Sequence, residues 1–465
     1  ELPDYGEVVS VVRPGYGQQD YLQALLPGPF AESHGSNLLA LPNGGLLCAW
    51  YSTGGVPSRR RSAVVVSRLI TVNVTFEESS VDGDANVTFE ESSVDGGVGP
   101  PPHIPPAPPP RRRQAQMWTH FQTVVPVEAH EGLMHEDPVL VYNGNETRGN
   151  VSLLYSVLPG EGLAGAATAE VWSTSSMDPD YQQWTAPVRL PFSCSANVRN
   201  HVLLGVAGHV AIPATCMPGG KEGAASHYSV MGRMNMNGSE WEEVEMTRPG
   251  SGLVDPSIVA MPQMRGVLFP SLVAFFRDRS CQSIYKALSV DDGRSWSEPE
   301  ALHLPNSNQP IQALFLPGSQ ALPPAGVNIN STNPAPRRTT SGGRLVMAFN
   351  NARGEQEPGR DMKGWPLSLA LSYDGGSTWP YVHDVEAVFD PSLQYTHPSL
   401  QLGEADGRLH LTYTWSTRAH PRTSIRYISI TENWVKQRTP HWSTGFTRGA
   451  FQGDAHTLAT TDNFN

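Results

Sequence analysis

The chain has 465 residues with 44 Gly, 41 Pro and only 16% charged residues, a composition suited to many short strands joined by turns. A formal net charge of −12 argues against nucleic acid as a partner, and no run of 18 apolar residues offers a membrane span. Residues 1–20 are polar and lack a signal-peptide pattern, as expected of a mature chain.

In chain order, paired strand-like runs recur, each pair followed by a tryptophan. Residues 36–41 and 45–50 form the first pair around the turn at 42–45, and Trp118 follows after a long interruption. That interruption, residues 72–117, copies residues 73–83 at 86–96 and then becomes proline-rich and basic, so it cannot bury a core and is expected to be a mobile loop. The next runs begin at residues 138–141, 202–204 and 256–260, leading to Trp184, Trp241 and Trp296. Residues 311–315 and 344–349 form a fifth pair around a Pro/Ser/Thr/Asn-rich insertion at 317–343 and lead to Trp379. Residues 398–402 and 408–413 form the sixth and lead to Trp434.

Two of the tryptophans close one motif. Ser289, Asp291, Gly293, Ser295 and Trp296 recur as Ser372, Asp374, Gly376, Thr378 and Trp379, the form S-x-D-x-G-x-[ST]-W. The Asp can accept backbone N–H bonds, Gly can supply a positive φ, and the Trp is expected to plug the turn against the next sheet. The period of 55–83 residues between tryptophans predicts six four-stranded antiparallel units. The fold expected is all-β: a single six-bladed β-propeller over 1–465 with two long loop insertions, 72–117 in blade one and 317–343 in blade five.

Six N-x-[ST] sequons, at Asn73, Asn86, Asn145, Asn150, Asn237 and Asn330, point to a secreted or cell-surface glycoprotein. Of four cysteines, Cys48 reads as a buried thiol. Cys194 and Cys216 flank one predicted hairpin and are the disulfide candidates, with Cys281 as a competing partner.

The motif is the Asp-box, and the chain resembles the sialidase superfamily in its BNR/Asp-box branch over roughly residues 30–435, the insertions apart. Residues 32–34, 304–308, 366–372 and 411–415 also match. The resemblance implies a carbohydrate site at one mouth of the channel, where inner strands start and their partners end. Those positions nominate Glu32, His34, His135, Arg199, His201, Arg277, Gln312, Asn351, Arg353 and His397 as substrate-binding residues. In such enzymes arginines grip the substrate carboxylate. Arg277 resembles one of them, with Arg353 and Arg426 as further candidates. Tyr395 falls where the family's nucleophile opens the last blade, and Glu136, Asp137 and Asp255 are the other catalytic candidates.

The chain also departs from the family. Residues 30–34 replace the arginine motif expected before blade one, the blade-one loop at 52–62 has no carboxylate, and Gln309 and Gln312 stand where an acid is expected. Three readings follow: an exo-acting glycoside hydrolase with an altered site, a glycan-binding propeller without turnover, or a structural component of an extracellular matrix or surface assembly that makes protein contacts through the insertions. A carboxyl pair about 5–10 Å apart would favour the first. His135, Glu136 and Asp137 are adjacent, but no other run has ligand spacing, so no metal is expected. No phosphate loop stands between a strand and a helix, and no cofactor is expected.

Overall fold

The computed structural model describes residues 8–10, 21–26, 28–54, 61–76, 111–130, 133–143, 150–159, 168–178, 180–206, 208–219, 226–235, 238–262, 271–317, 344–354, 364–387, 393–403, 406–416 and 422–437. They form six antiparallel sheets arranged as the blades of a propeller, with a single five-residue helix, Glu432–Lys436, among the described residues.

Blade one pairs Glu32–Ala40, Leu46–Gly54, Arg61–Phe76 and Arg111–Trp118, with Gln122–Val125 added beside the third strand. Blade two is Leu133–Tyr142, Val151–Pro159, Glu170–Ser176 and Val188–Arg189. Blade three is built on His209–Cys216, Tyr228–Asn235 and Trp241–Glu245, with Ala196–Val198 and Leu203–Val206 both pairing its first long strand. Blade four is Leu253–Ala260, Leu272–Asp278, Ser283–Ser289 and Glu300–Pro305. Blade five is Gln312–Leu316, Arg344–Asn350, Leu367–Ser372 and Tyr381–Glu386.

Blade six takes Tyr395–Leu402, Leu409–Trp415 and Ser424–Ile430 from the end of the chain and its fourth strand, Tyr21–Leu26, from the start. Tyr21 pairs with Ile430 and Leu26 with Ile425, so a strand from early in the sequence closes the circle, with Val9–Ser10 paired on its outer side. No Trp or turn signal marks residues 21–26, and the sequence did not reveal this closure. In blade one the ladder runs outward from Leu69 opposite Trp118 to Phe76 opposite Arg111, so both ends of the 72–117 segment belong to the sheet. The rest of that segment, and residues 318–343 of the second, lie outside the described residues.

The six tryptophans do mark the blades, but each faces the blade before its own rather than the next. Trp379 of blade five stands edge-on to Phe275 of blade four, with ring centroids 5.8 Å apart. Trp118 of blade one meets Tyr427 of blade six at 5.1 Å. Trp434, on the helix, lies 3.9 Å from the ring of His383 in blade five. The buried apolar side chains accordingly gather into six main clusters, one in each gap between neighbouring blades.

The two matching turns fold alike. Ser289 Oγ donates to Asp291 Oδ1 (2.8 Å) and accepts from Gly293 N (2.8 Å), while Ser295 donates to both oxygens of Asp291. Ser372, Asp374, Gly376 and Thr378 repeat each of these bonds. Burial opposes the charge of both aspartates, yet the hydroxyl and N–H donors outweigh it and hold both carboxyls below the usual range. Gly376 has a φ of +82°, and a Cβ there would sit 2.7 Å from the Phe275 ring, so only glycine seats the turn on the previous blade.

A ring of side-chain acceptors binds the blades together near the axis. Each takes a backbone N–H from the inner strand of the following blade: Asn37 from Leu140 (3.0 Å), Ser156 from Val198 (3.0 Å) and Thr215 from Asp255 (2.9 Å). Ser257 takes one from Ala313 (2.9 Å), Gln312 one from Leu400, and Ser399 closes the circle with Leu38 (2.9 Å). An inner strand has no further strand on its axial side, so these contacts satisfy donors that the ladder leaves over.

Candidate functional site

The inner strands of four blades carry a bulge at equivalent positions. Pairing slips between His34 and Asn37, Glu136 and Val139, Val254 and Ser257, and Thr396 and Ser399. Inside each slip one residue is left-handed: Gly35 (φ +62°), Asp137 (+49°), Asp255 (+50°) and His397 (+55°). In the last three a proline follows, which has no N–H to give the ladder and so suits an interruption. Bulges re-aim the side chain they carry, and here three of them bring ionisable groups into one charged cluster.

Arg199 Nη1 donates to Asp137 Oδ1 (3.2 Å), and Arg277 Nη1 donates to Asp255 Oδ2 (2.7 Å). Arg277 Nε also donates to Asn308 Oδ1 (2.8 Å). Thr215 Oγ1 donates to Asp255 Oδ1 (3.1 Å), and Asn200 Nδ2 donates to the Asp255 carbonyl (2.8 Å). The side chains of Asp137 and Asp255 are 14% and 11% exposed, withdrawn from bulk water yet reachable.

The two carboxyls are driven apart. Burial pushes Asp137 up to about 6; Arg199 opposes that rise, while the charges of Glu136 and Asp255 add to it. Burial also disfavours the charge of Asp255, but Arg277, Arg279 and Arg199 together hold it below the usual carboxylate range. Arg279 is pulled down to about 10 by burial and by Arg277. Two donors in this cluster, Arg199 Nη2 and Arg279 Nε, are buried with no hydrogen-bond partner among the described residues. An unmatched buried donor costs about 1–3 kcal/mol, a cost that an anionic ligand would remove.

Burial and the neighbouring cations also keep two histidines neutral. His397 lies well below the ordinary imidazole range because of burial, Arg199, His34 and Arg277. His201, hydrogen-bonded to Gln401 at 3.3 Å, is lowered to about 4, chiefly by burial. His34 stacks on Tyr51 (5.7 Å between centroids, 30° between planes), meets Thr423 Oγ1 at 3.0 Å and lies 3.9 Å from Glu32. Gly35 lets this wall close on the carboxyl: a Cβ there would be 2.5 Å from the Tyr51 ring and 2.9 Å from Asp137 Oδ1.

The other nominated residues are placed differently. His135 is fully buried, its Nδ1 2.7 Å from the Ser62 carbonyl and its Nε2 3.0 Å from His130 Nδ1, in a nest with Tyr155 between blades one and two. Glu136 is half-buried beside Asp137. Tyr395 is 2% exposed and packs with Trp415 and Tyr413 in the core between blades five and six. Close by, Arg426 Nη1 and Tyr413 Oη both donate to Glu386 at 2.6 Å. Gln312 is part of the inter-blade ring, accepting from Leu400 N while its amide reaches Asn200 Oδ1 at 3.5 Å. A carboxylate there could accept from Leu400 but could not donate to Asn200. Asn351 is half-buried and its N–H donates to the Pro366 carbonyl, while Arg353 is exposed.

Asn200, Thr215 and Asn308 were missed as site residues. The dipeptides Asp137-Pro138, Asp255-Pro256 and His397-Pro398 were a legible signal for the repeated bulge. Cys194 and Cys216 are bridged. Among the described residues no group of three or more His, Cys, Asp or Glu is placed to hold a metal ion, and no helix is long and apolar enough to cross a membrane. Asn150 is half-buried. Asn73 lies in the long ladder of blade one, and the other four sequons fall outside the described residues.

The sequence matches the family model described as a BNR repeat-like domain over residues 110–411, and the chain belongs to that family. No curated protein matches it by sequence. Among solved structures it is similar to a Hadza microbial sialidase (13% identity, TM-score 0.56, 87% of this chain and 66% of that one). It is also similar to the leech intramolecular trans-sialidase, complexed with 2,7-anhydro-Neu5Ac (12%, 0.57, 88% and 69%). A third is the intramolecular trans-sialidase of Ruminococcus gnavus, in complex with oseltamivir carboxylate (13%, 0.54, 87% and 95%). The chain thus spans about two thirds of the first two. It is a sialidase-like BNR propeller.

Proposed function

We propose that the protein hydrolyses glycosidic bonds next to an acidic sugar, using the cluster at Asp137, Arg199, Asp255, Arg277 and Arg279. The observation that carries this reading is a pair of withdrawn carboxyls in one cluster, Asp137 bonded to Arg199 and Asp255 to Arg277, with unmatched arginine donors beside them. A carboxyl raised to about 6 keeps a proton to give, while one held low stays anionic. Asp137 is the donor to the departing glycosidic oxygen. Asp255 keeps Arg277 and Arg279 in place and supplies negative charge beside the positive charge that develops on the sugar ring. The arginines, two of them with unmatched donors, bind the substrate's acidic group by charge-assisted hydrogen bonds.

The structural relatives named sialidases and trans-sialidases support carbohydrate as the ligand class. We further infer that the protein is a secreted glycoprotein, since six sequons are more than the roughly two or three that average composition would place in a chain of this length by chance. A mass decrease on treatment with an N-glycosidase tests this part.

The test of turnover is a panel of sialosides, uronic acid glycosides and neutral glycosides offered to the purified protein. Release of sugar from an acidic member, at least tenfold above its neutral counterpart, is expected. Binding of acidic glycans without release of sugar from any would instead establish a glycan-binding propeller, a state in which both carboxyls remain paired with their arginines.

A further inference from the structure

The bulge that places Asp137 and Asp255 occurs a third time at His397, and the three lie on alternate blades: two, four and six. At the fourth bulge, in blade one, the left-handed residue is Gly35, which takes that conformation without strain. A side chain in the same conformation costs more, even for Asp and His, which tolerate it better than most. Blades two, four and six bear that cost and gain an ionisable group each time. Two of those groups already belong to the proposed chemistry.

His397 is half-buried and faces Arg199 of blade three, His34 of blade one and Arg277 of blade four. Its Nδ1 is 2.9 Å from Thr396 Oγ1, which fixes the ring and leaves Nε2 as the other nitrogen. In the tautomer whose Nδ1–H donates to Thr396, Nε2 carries the lone pair. Burial first, and then the charges of Arg199, His34 and Arg277, keep the imidazole without a proton before the reaction begins.

We propose that His397 is the base of the reaction, accepting at Nε2 a proton of the water that attacks the anomeric carbon. This rests on the hydrolase reading. The bond from water oxygen to the anomeric carbon forms as the bond to the departing oxygen breaks. Asp137 gives its proton to that oxygen, and His397 takes one from water. Transfer of a proton from His397 to solvent and from solvent to Asp137 restores both groups. Water attacking opposite the leaving group inverts the anomeric centre.

Two variants and one product analysis test this. His397→Gly retains the backbone conformation and leaves a space the size of an imidazole, and His397→Asn keeps a side chain suited to positive φ. With the best glycoside of the panel, both variants should lose about 10²–10⁴-fold in kcat with KM changed by less than about threefold. Added imidazole should restore His397→Gly at least tenfold. Early NMR spectra of the wild-type reaction should show the inverted anomer. Wild-type kcat in either variant, a retained anomer, or a loss that appears in KM and is not rescued by imidazole would overturn the assignment. If the wild type releases no sugar, the hydrolase reading falls and takes this base with it. An active wild type with an active His397→Gly removes the base alone.

Discussion

Gly35 shows how much of the site depends on a single missing methyl group. Its φ of +62° and the closeness of the Tyr51 ring and Asp137 Oδ1 leave no room for a Cβ. Gly35→Ala is therefore expected to move Asp137 away from Arg199 and to lower kcat/KM by about tenfold or more, while strain costs about 1–2 kcal/mol of stability. Steady-state kinetics and urea unfolding measure the two effects, and wild-type values for both would contradict this geometry. At this scale the sequence was informative about residue types and less so about partners. Asp137, Asp255, Arg199, Arg277 and His397 were all nominated from their places at strand ends, and the structure brings them together. His135 and Tyr395 were nominated by the same rule but are buried among aromatic side chains in the gaps between blades. The rule identifies the end of a strand, whereas the side on which a residue points depends on the bulge, whose signal is the Asp-Pro or His-Pro pair and not the strand pattern.

At the scale of elements, the tryptophan period located the blades because each Trp must be buried in a gap, and each blade provides one. Its direction was not legible: the sequence distinguishes an outer turn from a strand but not the sheet on its left from the one on its right. The strand Tyr21–Leu26 was invisible for another reason, since its partner lies some 400 residues away and carries no matching signal. The inter-blade ring makes a direct prediction. Ser399→Ala leaves the Leu38 N–H buried without its acceptor, and Ser257→Ala does the same to Ala313. Each should cost about 1–3 kcal/mol in urea unfolding, and a loss below about 0.3 kcal/mol in both would remove the ring as a source of stability. Deleting residues 1–27 should have a larger effect, since it bares the edge of Ser424–Ile430 and removes Tyr21 and Leu25 from the core. A marked fall in Tm or loss of soluble protein is the expected outcome.

Across the whole molecule, a net charge of −12 coexists with three arginines gathered at one place on the axis. The cluster is local, so the proposed acidic ligand would be attracted at short range even though the protein as a whole is acidic. Six blades supply the rigidity for this: bulges on alternate blades set the ionisable groups, and the ring of hydrogen bonds keeps their distances fixed. The measurement that tests the account most directly is the pH dependence of kcat/KM for wild type and Asp137→Asn on the best acidic glycoside. Asp137 must be protonated to act, and its folded-state value is raised to about 6. Activity should therefore be present below that pH and fall as pH rises through it, while Asp137→Asn should lose about 10²-fold or more and show no such limb. Wild-type turnover by Asp137→Asn, with the same fall near pH 6, would contradict the account.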